Sequence, residues 1–152
     1  MLNVYNQLKK LDIALPVASI PVSDYVMSAQ AGKTVFLSGH LAQKNGGVWV
    51  GKLGDTISIE EGRRAARSIA IDLIATLHAY LNNLNRVKRI VKLMSLVNST
   101  PNFTEQHLVT NEASELFVAV FGKRGKHARS AFGVAQIPLG ACMEIELIAT
   151  VG

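Results

Sequence analysis

Cysteine is almost absent: Cys142 is the only one among 152 residues. An intrachain disulfide and a cysteine-based zinc cluster are thereby excluded, and a reducing cytoplasm is the expected setting. Charge is also sparse. Asp, Glu, Lys and Arg make up 18% of the chain, against about 25% in ordinary soluble domains. A surface so short of charge predicts that a partner, such as a second copy, covers part of it. Aromatic residues are 6% and do not interleave with the basic ones, so a stacking platform for single-stranded nucleic acid is not expected. No apolar run approaches the ~20 residues of a membrane helix. Lys9-Lys10 followed by Leu11 to Val22 loosely imitates a signal peptide, but Asp12, Pro16 and Pro21 interrupt it,. No internal repeat, low-complexity tract or linker divides the chain.

What is present suits one packed core. The chain is 49% hydrophobic and 16.4 kDa, the size of a single domain, here residues 1–152. Its net charge of +5 invites a nucleic-acid reading,. The basic clusters argue otherwise. Arg63, Arg64 and Arg67, and Arg86, Lys88, Arg89 and Lys92, read as solvated faces, with Arg63 and Arg67 pairing with neighbours such as Glu60 along a helix. No helix-turn-helix or RNA-recognition signature is present. His40, His78, His107 and His127 are scattered, with no i, i+4 pair for a metal,.

Periodicity orders the elements. Residues up to about Val22 read as a short polar helix or coil, then an extended proline-containing segment. Thr34-Val35-Phe36-Leu37-Ser38 is a β-rich run ended by Gly39. Asn45-Gly46-Gly47 predicts a hairpin turn returning through Val48-Trp49-Val50. Ser58 and Glu61 form a capping box, after which Ala66, Ile69, Ala70, Leu73, Leu77 and Leu81 recur at helical spacing up to Asn82-Asn83. Val87 to Asn98 predicts a central strand, and Thr104 to Phe121 a second helix stopped by Gly122. Ser130 to Gln136 reads as a strand and Pro138-Leu139-Gly140 as a turn. In a last strand, Ala141 to Val151, residues Met143, Ile145, Leu147, Ala149 and Val151 face one way. Cys142, Glu144, Glu146, Ile148 and Thr150 face the other. The sum is an α+β sandwich, a mixed sheet with two helices on one face. The uncovered face is expected to meet another subunit.

Few side chains offer chemistry. Glu144 and Glu146 share a strand face about 6.5–7 Å apart, a pairing that can divide acid and base roles or merely present a polar face. Arg129, at a loop–strand junction, could grip a carboxylate with two prongs or sit as one more surface arginine in the basic loop Lys123 to Arg129. That loop could instead meet phosphates. Cys142 reads as a small core residue, since no partner histidine accompanies it.

Three stretches then carry a resemblance. Ala128-Arg129-Ser130-Ala131, Val134-Ala135-Gln136-Ile137-Pro138 and Met143-Glu144-Ile145-Glu146-Leu147-Ile148-Ala149 follow one another near the C-terminus. Upstream stand Tyr25, Gly32 and Phe36-Leu37-Ser38-Gly39-His40. Together they resemble the signature of the reactive-intermediate deaminase (Rid, YjgF or "endoribonuclease L-PSP") family, from about Pro16 onward, which leaves residues 1–15 as an N-terminal extension.

The resemblance implies a chorismate-mutase-like fold of the bacillus type and a homotrimer around a central barrel, with pockets at the clefts between subunits. It implies hydrolysis of enamine or imine intermediates such as 2-aminoacrylate to 2-keto acids and ammonia, with no metal or organic cofactor. By the same likeness Arg129 matches the substrate-carboxylate arginine and Glu144 the glutamate that positions water. Tyr25 matches a tyrosine lining the cleft, Ser38 and Gly39 a backbone-lined wall, and Asn111 a helix asparagine near the site. Ala131, Gly133 and His40-Leu41 depart from the usual pattern, where Cys, an acidic residue and Gln-Ile/Val are common. The loop Gly122 to His127 is longer, which marks a divergent subgroup. Two alternatives stay open: a non-catalytic trimer binding small carboxylates, and the ribonuclease or translation-inhibitor role in the family's names. The latter lacks a paired histidine acid and base.

Overall fold

The computed structural model describes residues 1–21 and 23–152; Val22, where the expected extended segment was to end, lies outside the described residues. The chain runs as α1 (Val4–Lys10), β1 (Ser28–Ala31), β2 (Thr34–Leu41), β3 (Gln43–Lys44), β4 (Gly47–Val48), α2 (Ile59–Leu81), β5 (Val87–Asn98), α3 (Gln106–Phe121), β6 (Ala128–Val134) and β7 (Met143–Val151). Five strands form one mixed sheet in the order β1-β2-β7-β5-β6, in which only β5 and β6 run parallel. The α+β class and the mixed sheet read from sequence are the ones observed.

Local chemistry explains most boundaries. At Asn45 and Gly46 both φ values are positive, 54° and 78°, the backbone of a tight hairpin turn. The returning strand is short: only Gly47 and Val48 pair across it, and Trp49 instead bonds Ala42 through its amide. The Ser58–Glu61 capping box is intact, and α2 closes on Asn82 in the left-handed conformation,. Helix α3 begins two residues later than expected, at Gln106, and ends at Gly122 with φ 62°. Strand β1 has no β-branched or aromatic residue and is mostly exposed, so alternation could not reveal it.

The alternation in β7 is the fold's strongest constraint. Met143, Ile145, Leu147, Ala149 and Val151 are buried, while Glu144, Glu146, Ile148 and Thr150 lie on the other face. The buried set packs beneath α2 and α3 with Ile69, Leu73, Leu77, Leu93, Phe117 and Val120. Truncating one of these leucines to alanine would cost about 2–5 kcal/mol. Cys142 leaves the β7 alternation but is the small core residue expected. It precedes the strand, donates its amide to the Trp49 carbonyl and is fully buried, so it belongs to the core and not to the opposite face.

Of the short polar helix or coil expected at the N-terminus, the helix is what forms, and it is not merely polar. Helix α1 buries Val4 and Leu8 in the same core. Asn3 caps it, and Val4 donates its amide to Asn85 Oδ1. Tyr5 Oη accepts from the Leu84 amide and lies 2.9 Å from His78 Nδ1. The basic residues are likewise more engaged than a solvated-face reading allows. Arg63 pairs not with Glu60 but with Glu112 of α3 at 2.8 Å and Glu115 at 3.5 Å. Arg124 donates to the carbonyls of Leu2, Asn85 and Val87, and Arg86 to those of Leu81 and Gly152. No described helix is long and apolar enough to cross a membrane.

Candidate active site in two halves

Strand register decides where each candidate points. Glu144 pairs with Leu41 and Leu96, on the face that the helices leave uncovered. Arg129 pairs with Leu93, a core residue, so its side chain starts on the helix-covered face. Arg129 and Glu144 therefore lie on opposite faces of the sheet within one chain. The candidates sort into two groups accordingly.

The first group lies where edge strand β6 passes α3. Arg129 Nη1 donates to Asn111 Oδ1 at 2.9 Å and to Ser114 Oγ at 3.3 Å. Asn111 and Ser114 are three residues apart on α3 and so share one helix face. His127 extends the chain of contacts. Its Nδ1 lies 2.6 Å from the Gly125 carbonyl and its Nε2 2.9 Å from Ser114 Oγ. These residues, with Val118 and Lys126, line a shallow cavity of ≈ 400 Å³. Among the described residues no carboxylate lies within ion-pair reach of Arg129, which leaves its charge open to an anion from outside. Burial pushes the His127 pKa down, and the Arg129 charge adds to that effect. His127 is neutral at pH 7 as a result.

The second group lies on the uncovered face, where β2 bulges against β7 between Leu37 and His40. Here Gly39 has a steric reason. A Cβ at this position would stand 2.8 Å from the Glu144 carboxyl carbon, so only glycine lets that carboxylate lie against the backbone. Ser38 is pinned beside it, its hydroxyl donating to the Val26 carbonyl at 2.6 Å and its amide to Met27. Tyr25, two residues before Met27, is 47% exposed. Partial burial raises the Glu144 pKa, and the neighbouring Glu146 raises it further. Glu144 thus holds a proton closer to neutrality than an ordinary glutamate.

Sequence reasoning missed His40, which it read only as a departure. His40 is 3% exposed. Its Nδ1 lies 2.6 Å from the Ser38 carbonyl and its Nε2 2.7 Å from Thr76 Oγ1 of α2. A carbonyl only accepts, so Nδ1 carries the proton and Nε2 accepts from Thr76. His40 thereby ties the bulge to a helix, and burial pushes its pKa down. Gly133 is explained in the same way: a Cβ there would reach within 2.5 Å of Ser99 Oγ and 2.9 Å of Gln106 Nε2. Among the described residues no group of three His, Cys, Asp or Glu side chains is placed to hold a metal.

Comparison with known proteins places this geometry. Residues 16–151 match the family profile described as "Endoribonuclease L-PSP". Protein TCP17 of Trypanosoma cruzi is 44% identical over 143 residues, 93% of this chain and 89% of that protein. A crystal structure from Agrobacterium tumefaciens, of a protein of unknown function, is 36% identical with a TM-score of 0.90, covering 98% of this chain and 92% of its own. The YjgF gene product of E. coli shares the fold at 23% identity, with a TM-score of 0.62 and coverage of 88% and 92%. The chain belongs to the endoribonuclease L-PSP (YjgF/RidA) family.

Proposed function

We propose that the protein hydrolyses reactive enamine/imine intermediates bearing a carboxylate, such as 2-aminoacrylate through its imine tautomer, to 2-keto acids and ammonia. The observation that carries this reading is Arg129: a buttressed guanidinium with no acidic partner among the described residues, in a chain of this family. Arg129 binds the substrate carboxylate by charge-assisted hydrogen bonds. Glu144 takes a proton from water as its oxygen attacks the imine carbon. The C=N bond becomes a C–N single bond, and the carboxylic acid of Glu144 then returns the proton to nitrogen. Glu144 next moves the hydroxyl proton of this carbinolamine to nitrogen, and the C–N bond breaks with its electron pair leaving on ammonia as the C=O bond forms, so water and imine are consumed and no oxidant is needed. The raised pKa of Glu144 suits a group that must both accept and return a proton,. An imine carbon is already electrophilic, and positioning supplies much of the remaining acceleration.

Because the two halves lie on opposite faces, we read the complete site as one assembled between subunits. Phe36, Met94, Leu96, Phe132 and Ile148 make the uncovered face apolar, which favours its burial against another copy. A contact joining two different surfaces closes as a ring where its rotation divides a full turn; the family resemblance makes that ring a trimer. Tyr25, Ser38 and Gly39 then wall the cleft beside Glu144, and Asn111 steadies Arg129. We read residues 1–152 as one domain whose first fifteen residues close the helical side.

The test is direct. Purified protein should accelerate the loss of iminopyruvate generated by an amino-acid oxidase, and Arg129→Ala should abolish that acceleration. Pyruvate binding by calorimetry without turnover of several imines would replace this reading with a carboxylate-binding role. The separation of Arg129 from Glu144 within one chain is the observation that keeps that second reading alive.

A further inference from the structure

We propose that His127 is a positioning residue for Arg129. Acting through Ser114, it leaves the Nε/Nη2 edge of the guanidinium as the carboxylate-binding fork. The inference rests on the reading of Arg129 as the carboxylate-binding group and adds how that group is aimed. Direction follows from hydrogen-bond chemistry. The Gly125 carbonyl can only accept, so the proton of His127 is on Nδ1,. Nε2 then carries a lone pair and accepts the hydroxyl proton of Ser114. With its proton committed, Ser114 Oγ presents lone pairs to Arg129 Nη1.

Nη1 has two hydrogens. One goes to Asn111 and the other to Ser114, which saturates that nitrogen. The remaining donors, two on Nη2 and one on Nε, have no partner among the described residues. Nε–H and one Nη2–H point in parallel, the geometry that meets both oxygens of a carboxylate. The imidazole is itself held in place by Phe117, whose ring meets it edge-on at 6.2 Å. The order is thus Gly125 to His127 to Ser114 to Arg129, each contact setting the next.

The test is a double-mutant cycle read by calorimetry with pyruvate. Ser114→Ala and His127→Phe should each weaken pyruvate binding about 3- to 10-fold, and the double variant should be no weaker than either alone. His127→Gln, whose amide oxygen can accept from Ser114, should restore binding. Multiplicative losses in the double variant, or unchanged binding in both single variants, would overturn the relay. Long-range 1H–15N spectra of the ligand-free protein supply an arm independent of binding. Nδ1 protonated and Nε2 unprotonated supports the relay, whereas a proton on Nε2 refutes it. Should the wild-type protein fail to bind pyruvate, the reading of Arg129 falls, and the spectra alone decide the His127–Ser114 direction.

Discussion

The two halves of the candidate site are built differently. Around Arg129 the parts are mostly side chains, from β6, the loop just before it and α3, joined by hydrogen bonds of 2.6–3.3 Å. Around Glu144 the parts are mostly backbone: a bulge, a missing Cβ at Gly39 and a hydroxyl bonded to a carbonyl. The first half makes an aimed cation and the second a carboxylate with a raised pKa. Each half nevertheless uses a histidine in one pattern, His40 buried and His127 half-buried. His40 and His127 both donate Nδ1–H to the carbonyl two residues earlier and accept a hydroxyl at Nε2. A neutral imidazole is a rigid two-ended spacer: His40 locks strand β2 to α2, and His127 locks the turn before β6 to α3. Affinity and chemistry should therefore separate on mutation.

The largest effect is expected at Arg129. Arg129→Ala removes the fork, and pyruvate binding should fall by about 100-fold or more, read by calorimetry. Glu144→Gln should instead leave pyruvate binding within about threefold and lower kcat by on the order of 100-fold. A binding loss as large as that of Arg129→Ala would erase the distinction between the halves. Gly39→Ala pushes the Glu144 carboxylate aside, so kcat should drop about tenfold with binding little changed.

His40 tests stability where the first three test function. His40→Ala leaves the Thr76 hydroxyl and Ser38 carbonyl without their partner, at about 1–3 kcal/mol by denaturant unfolding. The sign of its pH dependence follows from its lowered pKa. The unfolded state binds a proton below pH 6.5, the ordinary histidine value, while the folded state resists until lower pH. Stability from the neutral His40 is complete above 6.5 and is lost as pH falls below it. The wild-type protein should thus lose more stability than His40→Gln on acidification. The smallest effect is expected at Glu146. Glu146→Gln removes a charge that raises the Glu144 pKa. The acid limb of the pH–rate profile, which lies above the ordinary glutamate value, should move to lower pH. A shift upward, or none, would show that Glu144 is not the group titrating there.

Much of this was legible in sequence, for identifiable reasons. The capping box at Ser58 and Glu61, the Asn45-Gly46 turn and the strict alternation of Met143 to Val151 are local signals with one physical solution each. Strand β1 carries no such signal, and α1 is a short helix whose buried residues, Val4 and Leu8, meet the core only through the tertiary fold. Arg129, Asn111, Ser38, Gly39 and Glu144 could be singled out as residues. Their division between two faces could not, because it depends on the pairing of β5 with β6 and on the β2 bulge. His40 and Ser114 were overlooked for a related reason. Their partners, Thr76 and His127, are 36 and 13 residues away, beyond any local pattern.

The central claim is that Arg129 of one subunit works with Glu144 of another. Mixing two inactive variants tests it most directly. Arg129→Ala and Glu144→Gln are unfolded together, refolded at equal concentrations and assayed for imine hydrolysis. If the site spans two subunits, a random mixture restores about a quarter of the clefts with both groups intact, and activity returns to about that fraction of wild type. If both groups act within one chain, no mixture contains a complete site, and activity stays at the level of the single variants.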